Sequence, residues 1–379
     1  MVYHMPTRVI FGRGAIGELP RIIKESLRSV RSFLVTDKGM EDAGILRRLL
    51  EPLTGVPVFD EVEPNPKHTT INRAGETVRA LKPDLIIGLG GGSVLDAAKA
   101  VALLATNPGR IEDFEGREKY KQPPLPVLAI PTTCGTGSEV TWVSVITHTE
   151  RRFKMSIKGP LMYPAAALVD PDLLMTLPSH LVASTGLDAL THGLEAYTSK
   201  PANHLTDALA LEALRLIFRH LLAACQDIAH DAEAREGLML GSLLAGMAFG
   251  NSDVGAVHCL AESIGSLYDT PHGVANAVFL PHVMEFNLPA ARDKYALVAA
   301  AVGLSAPDEE DAARALIRRI KDLSRLLAIP SFRDLGIPES DFAAVAKKSF
   351  ENNSNPSNPR AAAAEDYLNI LRRAEIATG

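Results

Sequence analysis

The first 182 residues alternate short apolar runs with stretches whose apolar residues recur at helical spacing. Four runs are rich in β-branched or other apolar residues and have the length of buried strands: residues 32–36, 84–89, 125–130 and 166–169. Helical spacing marks three other stretches, residues 16–27, 41–53 and 71–81. Strands that alternate with helices predict a mostly parallel sheet covered by helices.

The pattern changes near Pro178, beyond which alanine and leucine dominate and apolar residues lie three and four positions apart. This spacing predicts helices, which we place at residues 205–224, 233–249, 311–327 and 361–374. The sequence therefore predicts an α/β domain at residues 1–182 and an all-α domain at residues 183–379.

Composition and charge exclude several classes of protein. The 379 residues are 46% apolar and 22% charged, which is typical of a globular protein of about two domains. A net charge of -6 gives no excess of cations for binding nucleic acid. No apolar run reaches the ~18–20 residues of a membrane span and residues 1–20 lack a signal-peptide pattern, so we expect a cytoplasmic protein. Cys134, Cys225 and Cys259 are expected to be reduced buried thiols.

Two loops that follow predicted strands have the chemistry of cofactor-binding loops. The first, Gly90-Gly91-Gly92-Ser93, leads into a predicted helix whose N-H groups and dipole suit a pyrophosphate. It departs from the GxGxxG motif at Ser93, and an ordinary strand-to-helix turn capped by Ser93 remains an alternative. The second loop, residues 131–141, carries five hydroxyl side chains that suit phosphate or ribose.

A carboxylate and three histidines in the second half form a candidate metal site. Asp188 and His192 lie four positions apart, so a helix places them on one face, although such a pair is also common on exposed helices. His258 and His272 would lie about 21 Å apart in one straight helix, so that helix must break, and Pro271 is placed to break it. This donor set suits divalent iron, zinc or manganese.

Together these residues are similar to the iron-containing (group III) alcohol dehydrogenase family, and the resemblance covers essentially the whole chain. The motifs that carry it occur in order at residues 11–15, 90–93, 131–141, 188–192, 271–277 and 358–360. The resemblance implies a dehydroquinate synthase-like architecture, with an N-terminal α/β dinucleotide-binding domain and an all-α C-terminal domain for metal and substrate.

The resemblance also implies roles for individual residues. The implied metal ligands are Asp188, His192, His258 and His272, with Fe²⁺ the first choice and Zn²⁺ or Mn²⁺ as alternatives. The implied cofactor is NAD, with NADP as an alternative, and the residues implied to bind it are Asp37, Gly90, Gly91, Gly92, Ser93, Thr132, Thr133, Thr136 and Ser138. Many family members have a histidine four residues after the third ligand, where this chain has Glu262. We therefore consider Glu262 a candidate proton relay, substrate contact or additional ligand, with a solvated or capping glutamate as the alternative.

The activity implied is reversible hydride transfer between nicotinamide and a small alcohol. Residues 186–287 contain only four cationic side chains, Lys200, Arg215, Arg219 and Arg235, which favours a neutral alcohol, diol or aldehyde over an anionic substrate. An NAD- and metal-dependent lyase or cyclase similar to dehydroquinate synthase is one alternative, and a non-catalytic nucleotide sensor or scaffold is another. The apolar helices make a homo-oligomer, a dimer or larger, the expected state.

Overall fold

The computed structural model describes residues 2–376. These residues divide into two compact units, one of residues 4–133 and 137–177, the other of residues 2–3, 134–136 and 178–376. The first unit contains a parallel sheet with helices, and the second is mostly helical. The predicted fold class is therefore confirmed, while the assignment of residues 1–182 and 183–379 to separate functional domains stays a prediction.

The first unit is built on a six-stranded sheet in which every neighbouring pair is parallel. Its strands are β1 (Arg8–Phe11), β2 (Ser32–Val35), β3 (Val58–Phe59), β4 (Leu85–Gly90), β6 (Val127–Pro131) and β9 (Ala166–Val169). Their order across the sheet is β1-β9-β6-β4-β2-β3. Because the strands are parallel, all their carboxyl ends lie at one edge, which is where such sheets bind ligands.

Alternate residues of the central strands face two separate cores. Ile86 of β4 packs in one core, whereas Leu85 and Ile87 pack in the other. Neighbouring β2 divides in the same way, with Phe33 in the first core and Leu34 in the second. A sheet buried on both faces explains why its strands read as continuous apolar runs rather than as alternating ones.

A second, three-stranded sheet was not predicted from the sequence. It consists of β5 (Gly116–Arg117), β7 (Val143–His148) and β8 (Phe153–Lys158), with β7 and β8 forming an antiparallel hairpin. Several positions of the hairpin, such as Thr147 and Lys154, are polar. Because polar residues interrupt these strands, they lack the continuous apolar run that predicts the strands of the parallel sheet.

The helices of the first unit are α1 (Leu19–Arg21), α2 (Lys38–Asp42), α3 (Ile45–Leu50), α4 (His68–Leu81) and α5 (Gly92–Thr106). Two expected helices are interrupted. The stretch 16–27 is a 3₁₀ turn, α1 and a π turn in succession. The stretch 41–53 breaks at Gly44, whose φ of 70° lies in the left-handed region that a glycine adopts without strain.

The second unit contains eight helices among its described residues. They are α6 (Ser179–Thr198), α7 (His204–Asp227), α8 (Ala232–Phe249), α9 (Ala256–Tyr268), α10 (His272–Ala301), α11 (Glu309–Leu326), α12 (Phe342–Glu351) and α13 (Ala364–Ile376). The predicted break before His272 is confirmed, because α9 ends at Tyr268, Asp269 is left-handed, and Pro271 precedes α10. Within the described chain, no helix has the length and apolar character of a membrane span. Cys134 and Cys259 are buried free thiols as expected, while Cys225 is partly exposed.

Candidate functional site

One carboxylate and three imidazoles converge inside the helical unit. Asp188, His192, His258 and His272 each bring one ligand atom to within 4.8 Å of the others. The first three are buried and His272 is partly exposed. We call these four residues the helical cluster. Two of its ligands come from α6, one from α9 and one from the first position of α10.

Close helix packing produces this convergence. A Cβ atom at Gly273 would lie 2.5 Å from the carbonyl oxygen of Ser184, so only a glycine lets the start of α10 approach α6 this closely. His192 stacks on Phe249, with ring centroids 4.3 Å apart and planes 17° from parallel. The Nε2 atoms of His192 and His258 lie 2.9 Å apart. Two imidazole nitrogens at this distance either share a proton or bind a common cation.

Glu195 supports the cluster from behind His258. Its Oε2 atom lies 2.5 Å from His258 Nδ1, and its Oε1 atom accepts a hydrogen bond from the backbone N-H of Val257 at 2.8 Å. A carboxylate on Nδ1 fixes the tautomer in which Nε2 presents its lone pair to the cluster. The sequence analysis missed Glu195, although it follows His192 by three positions and so lies on the same face of α6.

Asn276 supports the cluster from α10. Its Nδ2 atom donates to Asp188 Oδ1 at 2.6 Å and lies 3.2 Å from Nε2 of both His258 and His272. The Oδ1 atom of Asn276 is buried without a hydrogen-bond partner. Asn276 was also missed, and its signal was the spacing of four residues from His272, which places both on one helical face.

The protonation of the cluster suits a cation. Burial lowers the pKa of the His192 imidazole to about 4, so this side chain is neutral at pH 7. Burial alone would raise the pKa of Asp188, but the neighbouring histidines, His192 foremost, bring it below its ordinary value. Neutral imidazole and ionised carboxylate are the forms that bind metals. In His258 the carboxylates of Glu195 and Asp188 raise the pKa against the effect of burial, so a bound cation would displace that proton. The four side chains offer the donor set of a divalent ion.

The glycine loop lies at the carboxyl end of β4. Gly90 has a φ of 155°, and a Cβ atom there would lie 2.6 Å from Val94 Cγ2. Helix α5 starts at Gly92, and no side chain caps its first N-H groups. A Ser93 cap, the alternative interpretation of this loop, is therefore absent. An uncapped helix start beside glycines is the arrangement that binds phosphate through backbone N-H groups.

The second loop follows β6, the strand beside β4. The hydroxyl of Thr132 is buried without a hydrogen-bond partner, whereas Thr133 is only partly buried. The Ser138 hydroxyl already donates to Asp96 Oδ1 at 2.6 Å, and its carbonyl accepts from buried Lys99 at 3.1 Å. Thr136 belongs to the short segment 134–136 that groups with the helical unit. Contacts of these four residues with a cofactor stay predictions.

Asp37 follows β2, on the other side of β4. It caps α2 by accepting from the backbone N-H of Met40 at 3.2 Å. Burial raises the pKa of its carboxyl group, although the N-H groups of Met40 and Gly39 oppose this. The neighbouring Lys38 forms an ion pair with Asp60. The structure therefore brings Asp37 and the glycine loop to one sheet edge on adjacent strands.

Glu262 lies outside the set of four ligand atoms. Its Oε2 atom accepts a hydrogen bond from Asn352 Nδ2 at 2.6 Å, and its side chain is partly buried. Its charge contributes to the pKa of the His258 imidazole, which Glu195 and Asp188 raise against the effect of burial. A catalytic role for Glu262 stays a prediction.

A parallel sheet with a phosphate-type loop at its carboxyl edge, together with a carboxylate-histidine cluster in a helical unit, defines the class of metal-dependent dinucleotide enzymes. Comparison with known proteins narrows the class. Residues 6–171 match the family model of iron-containing alcohol dehydrogenases, and residues 182–375 match the model of the C-terminal part of that family. The chain belongs to the iron-containing alcohol dehydrogenase family.

Individual relatives match over nearly their whole length. The 1,3-propanediol dehydrogenase of Citrobacter freundii is 41% identical over 98% of both sequences. The NAD-dependent methanol dehydrogenase of Bacillus methanolicus is 35% identical, over 98% of this chain and 99% of that one. The crystal structure of a 1,3-propanediol oxidoreductase matches with a TM-score of 0.94 and 40% identity, over 98% and 99% of the two chains. The predicted family and enzyme class, an alcohol dehydrogenase, are therefore confirmed.

Proposed function

We propose that this protein catalyses reversible hydride transfer between a nicotinamide cofactor and a small neutral alcohol, diol or aldehyde. The observation that carries the proposal is the helical cluster, in which Asp188 and three histidines converge with a carboxylate and an amide behind them. A nucleotide sensor or scaffold has no need of such a buried ligand set, so the cluster favours an enzyme.

Asp188, His192, His258 and His272 would hold the metal, with iron the first choice from the family and zinc or manganese as competitors. When bound, such an ion supplies the Lewis acidity that lowers the pKa of an alcohol hydroxyl, and NAD supplies the hydride acceptor. The protein's own contribution is positioning. Glu195 holds the His258 ring in one tautomer, and Asn276 holds the carboxylate of Asp188.

The α/β unit would bind the cofactor. The uncapped N-H groups at the start of α5 suit the pyrophosphate, with Gly90, Gly91, Gly92 and Ser93 in contact with it. The buried hydroxyl of Thr132 suits a further polar contact. Asp37, at the end of the adjacent strand, would accept hydrogen bonds from the adenosine ribose and repel a 2′-phosphate, which favours NAD over NADP.

The substrate is proposed to be uncharged. The long stretch 186–287 contains only four Lys or Arg side chains. A lyase or cyclase similar to dehydroquinate synthase must hold an anionic substrate with several cations, so their scarcity favours the dehydrogenase. The named activities of the relatives, on propanediol and methanol, belong to the same substrate class. A cytoplasmic location and a homo-oligomeric state are part of the proposal.

Replacement of a ligand tests the proposed chemistry. Protein loaded anaerobically with Fe²⁺ should oxidise primary alcohols or diols with NAD, and His272→Ala should lose both the cluster's iron and turnover. His230→Ala is the matched control, because His230 is an exposed histidine of the same unit. Full turnover in metal-free protein would contradict the proposal, and turnover of an anionic substrate without net oxidation would favour the lyase.

Replacement of Asp37 tests the cofactor preference. Asp37→Gly should raise the ratio of kcat/KM with NADP to kcat/KM with NAD by about tenfold, since the repelling carboxylate is removed. Loss of its cap should cost only a few tenths of a kcal/mol, because glycine is tolerated at this position. Asp42→Gly, an exposed carboxylate in the same helix, is the control. An unchanged ratio would show that Asp37 does not face the ribose.

A further inference from the structure

A second set of metal-ligating side chains lies in the α/β unit, separate from the helical cluster. His68, His148 and Glu150 each bring one potential ligand atom to within 4.8 Å of the others. We call these three residues the surface triad. His68 is buried, His148 is partly exposed and the Glu150 side chain is 70% exposed. Nothing in the proposed hydride transfer uses them.

The backbone places the two histidines side by side. Lys67 and Thr147, the residues just before them, form a parallel β-bridge, and Thr147 N-H donates to the carbonyl of Pro66 at 2.8 Å. Because paired neighbours in a parallel ladder point the same way, the rings of His68 and His148 meet. Their centroids are 4.3 Å apart and their planes lie 22° from parallel. The turn after β7 then returns Glu150 to both rings.

The three ligand atoms have the spacing of a first coordination sphere. One carboxylate oxygen, Glu150 Oε2, lies 3.2 Å from His68 Nε2 and 3.0 Å from His148 Nδ1. Ligand atoms at about 2.1 Å from a tetrahedral zinc ion are separated by about 3.4 Å. The two separations from Glu150 are therefore close to those that a small divalent ion imposes, and the two histidine nitrogens lie within 4.8 Å of each other.

Hydrogen bonds direct the relevant nitrogens toward Glu150. The backbone N-H of Thr149 lies 3.4 Å from His68 Nδ1, which leaves Nε2 as the nitrogen that faces the carboxylate. The backbone N-H of Arg151 lies 3.4 Å from His148 Nδ1, the same atom that contacts Glu150. Both N-H contacts are long, and a cation on His148 Nδ1 would take the lone pair that now faces the Arg151 N-H. At His68 a cation would replace the proton that Nε2 carries while Nδ1 accepts from Thr149.

Two nearby arginines are paired with carboxylates other than Glu150. Arg151 pairs with Glu115 at 2.5 Å, and Arg110 pairs with Glu112 at 2.5 Å. Each of these two guanidinium groups therefore has its own carboxylate, while Glu150 interacts with Arg110 only as a further nearby charge. The positive charges of Arg110 and Arg151 are therefore offset by Glu112 and Glu115, which lowers their repulsion of a dication at the triad.

We propose that His68, His148 and Glu150 form a second metal site, for Zn²⁺ or a similar divalent transition metal. Two imidazoles and one carboxylate are a ligand set that zinc accepts, with water completing a four-coordinate sphere. The bound ion would join the start of α4 to the β7–β8 hairpin. It would stabilise the folded α/β unit, because an ion that binds only the folded state shifts the unfolding equilibrium. The site is independent of the proposed hydride transfer.

Counting bound zinc tests the proposal. Metal-free full-length protein is titrated with Zn²⁺ alone at micromolar free concentration, against a chromophoric chelator, and ions per chain are counted. The unmodified chain should bind two ions, one at the helical cluster and one at the surface triad. His148→Ala and Glu150→Ala should each bind one, with turnover of the iron-loaded enzyme unchanged. Glu150 is exposed in a turn, so its replacement leaves the fold intact.

His230→Ala is the control for the zinc count. His230→Ala should still bind two ions, since within residues 2–376 His230 pairs with a single carboxylate, that of Asp227 at 2.8 Å. A single ion bound equally by the unmodified chain, His148→Ala and Glu150→Ala would overturn the proposal. So would two ions retained in both His148→Ala and Glu150→Ala. Zinc should also raise the Tm of the unmodified chain more than that of Glu150→Ala, and equal increases would count against the site.

Discussion

The helical cluster and the surface triad both combine imidazoles with one carboxylate, but they are supported in different ways. In the helical cluster, three of four ligands are buried, and Glu195 and Asn276 hold His258 and Asp188 from behind. In the surface triad only His68 is buried, and the rings are oriented by stacking on each other and by long contacts from backbone N-H groups. The comparison teaches that the donor set makes a site possible, while the residues behind it determine how firmly its geometry is held.

The largest effect should come from removing the carboxylate behind His258. Glu195→Gln keeps the size of the side chain but weakens the hydrogen bond to Nδ1, so metal binding at the helical cluster should weaken by about 10–100-fold. Zinc binding at the surface triad should not change. A competition titration with a chelator measures both, and Glu212→Gln, an exposed glutamate of the same unit, is the control. Equal weakening of metal binding at both sites would show that Glu195 does not act on the helical cluster alone.

Removing the amide of Asn276, which contacts Asp188, should weaken metal binding by a smaller factor. Asn276→Ala removes one hydrogen bond to a ligand that three histidines also surround, so we expect metal affinity to fall by about tenfold. The same titration measures it. If Asn276→Ala binds the metal as tightly as the unmodified chain does, the 2.6 Å contact to Asp188 has no role in orienting the carboxylate.

His282, a histidine outside both sites, shows how burial lowers the pKa of an imidazole. Burial lowers the pKa of His282 in α10 to about 4, below its ordinary value of 6.5. As the pH falls from 6.5 toward 4, the unfolded chain takes up a proton that folded His282 does not, so stability is lost on acidification. At pH 5 this amounts to about 1–2 kcal/mol. His282→Gln should reduce the loss between pH 7 and pH 5 in denaturant unfolding, whereas an unchanged slope would place the effect in other groups.

The smallest effect is expected at Glu262. Because its carboxylate binds Asn352 and lies outside the four ligand atoms, Glu262→Gln should leave the metal content of the helical cluster unchanged. The pH profile of kcat reports separately on proton handling. A Glu262→Gln enzyme that loses its metal would show that the carboxylate is a ligand. Glu262→His restores the residue frequent in the family and tests substrate contact.

The helical cluster was largely predictable because its signals are local. The spacing of Asp188 and His192 fixes a shared helix face, and Pro271 marks the break that frees His272 from α9. Strands with both faces buried gave apolar runs, which placed the glycine loop correctly at the end of β4. The helical spacing of Glu195 from His192 and of Asn276 from His272 would have placed both near the ligands, but neither residue was predicted.

Other features depend on contacts between distant parts of the chain. His68 and His148 meet because Lys67 pairs with Thr147, 80 positions later, and no local pattern encodes that bridge. The Ser138 hydroxyl looked available for a cofactor, but Asp96 of α5 accepts its hydrogen bond. The sequence shows which donors a loop carries, and only the folded chain shows which of them are already bonded.

The pairing of β1 with β9 affects how the protein is made. Phe11 ends β1 and Ala166 begins β9, so 155 positions separate an edge strand from its partner. At about 5–20 residues per second, a ribosome needs on the order of 8–30 s to supply that partner. During this interval Val9 and Ile10 lack the β9 residues, Ala167 and Leu168, with which they pair in the folded protein. Early binding by a chaperone at this short segment would protect the emerging polypeptide until translation has passed residue 169.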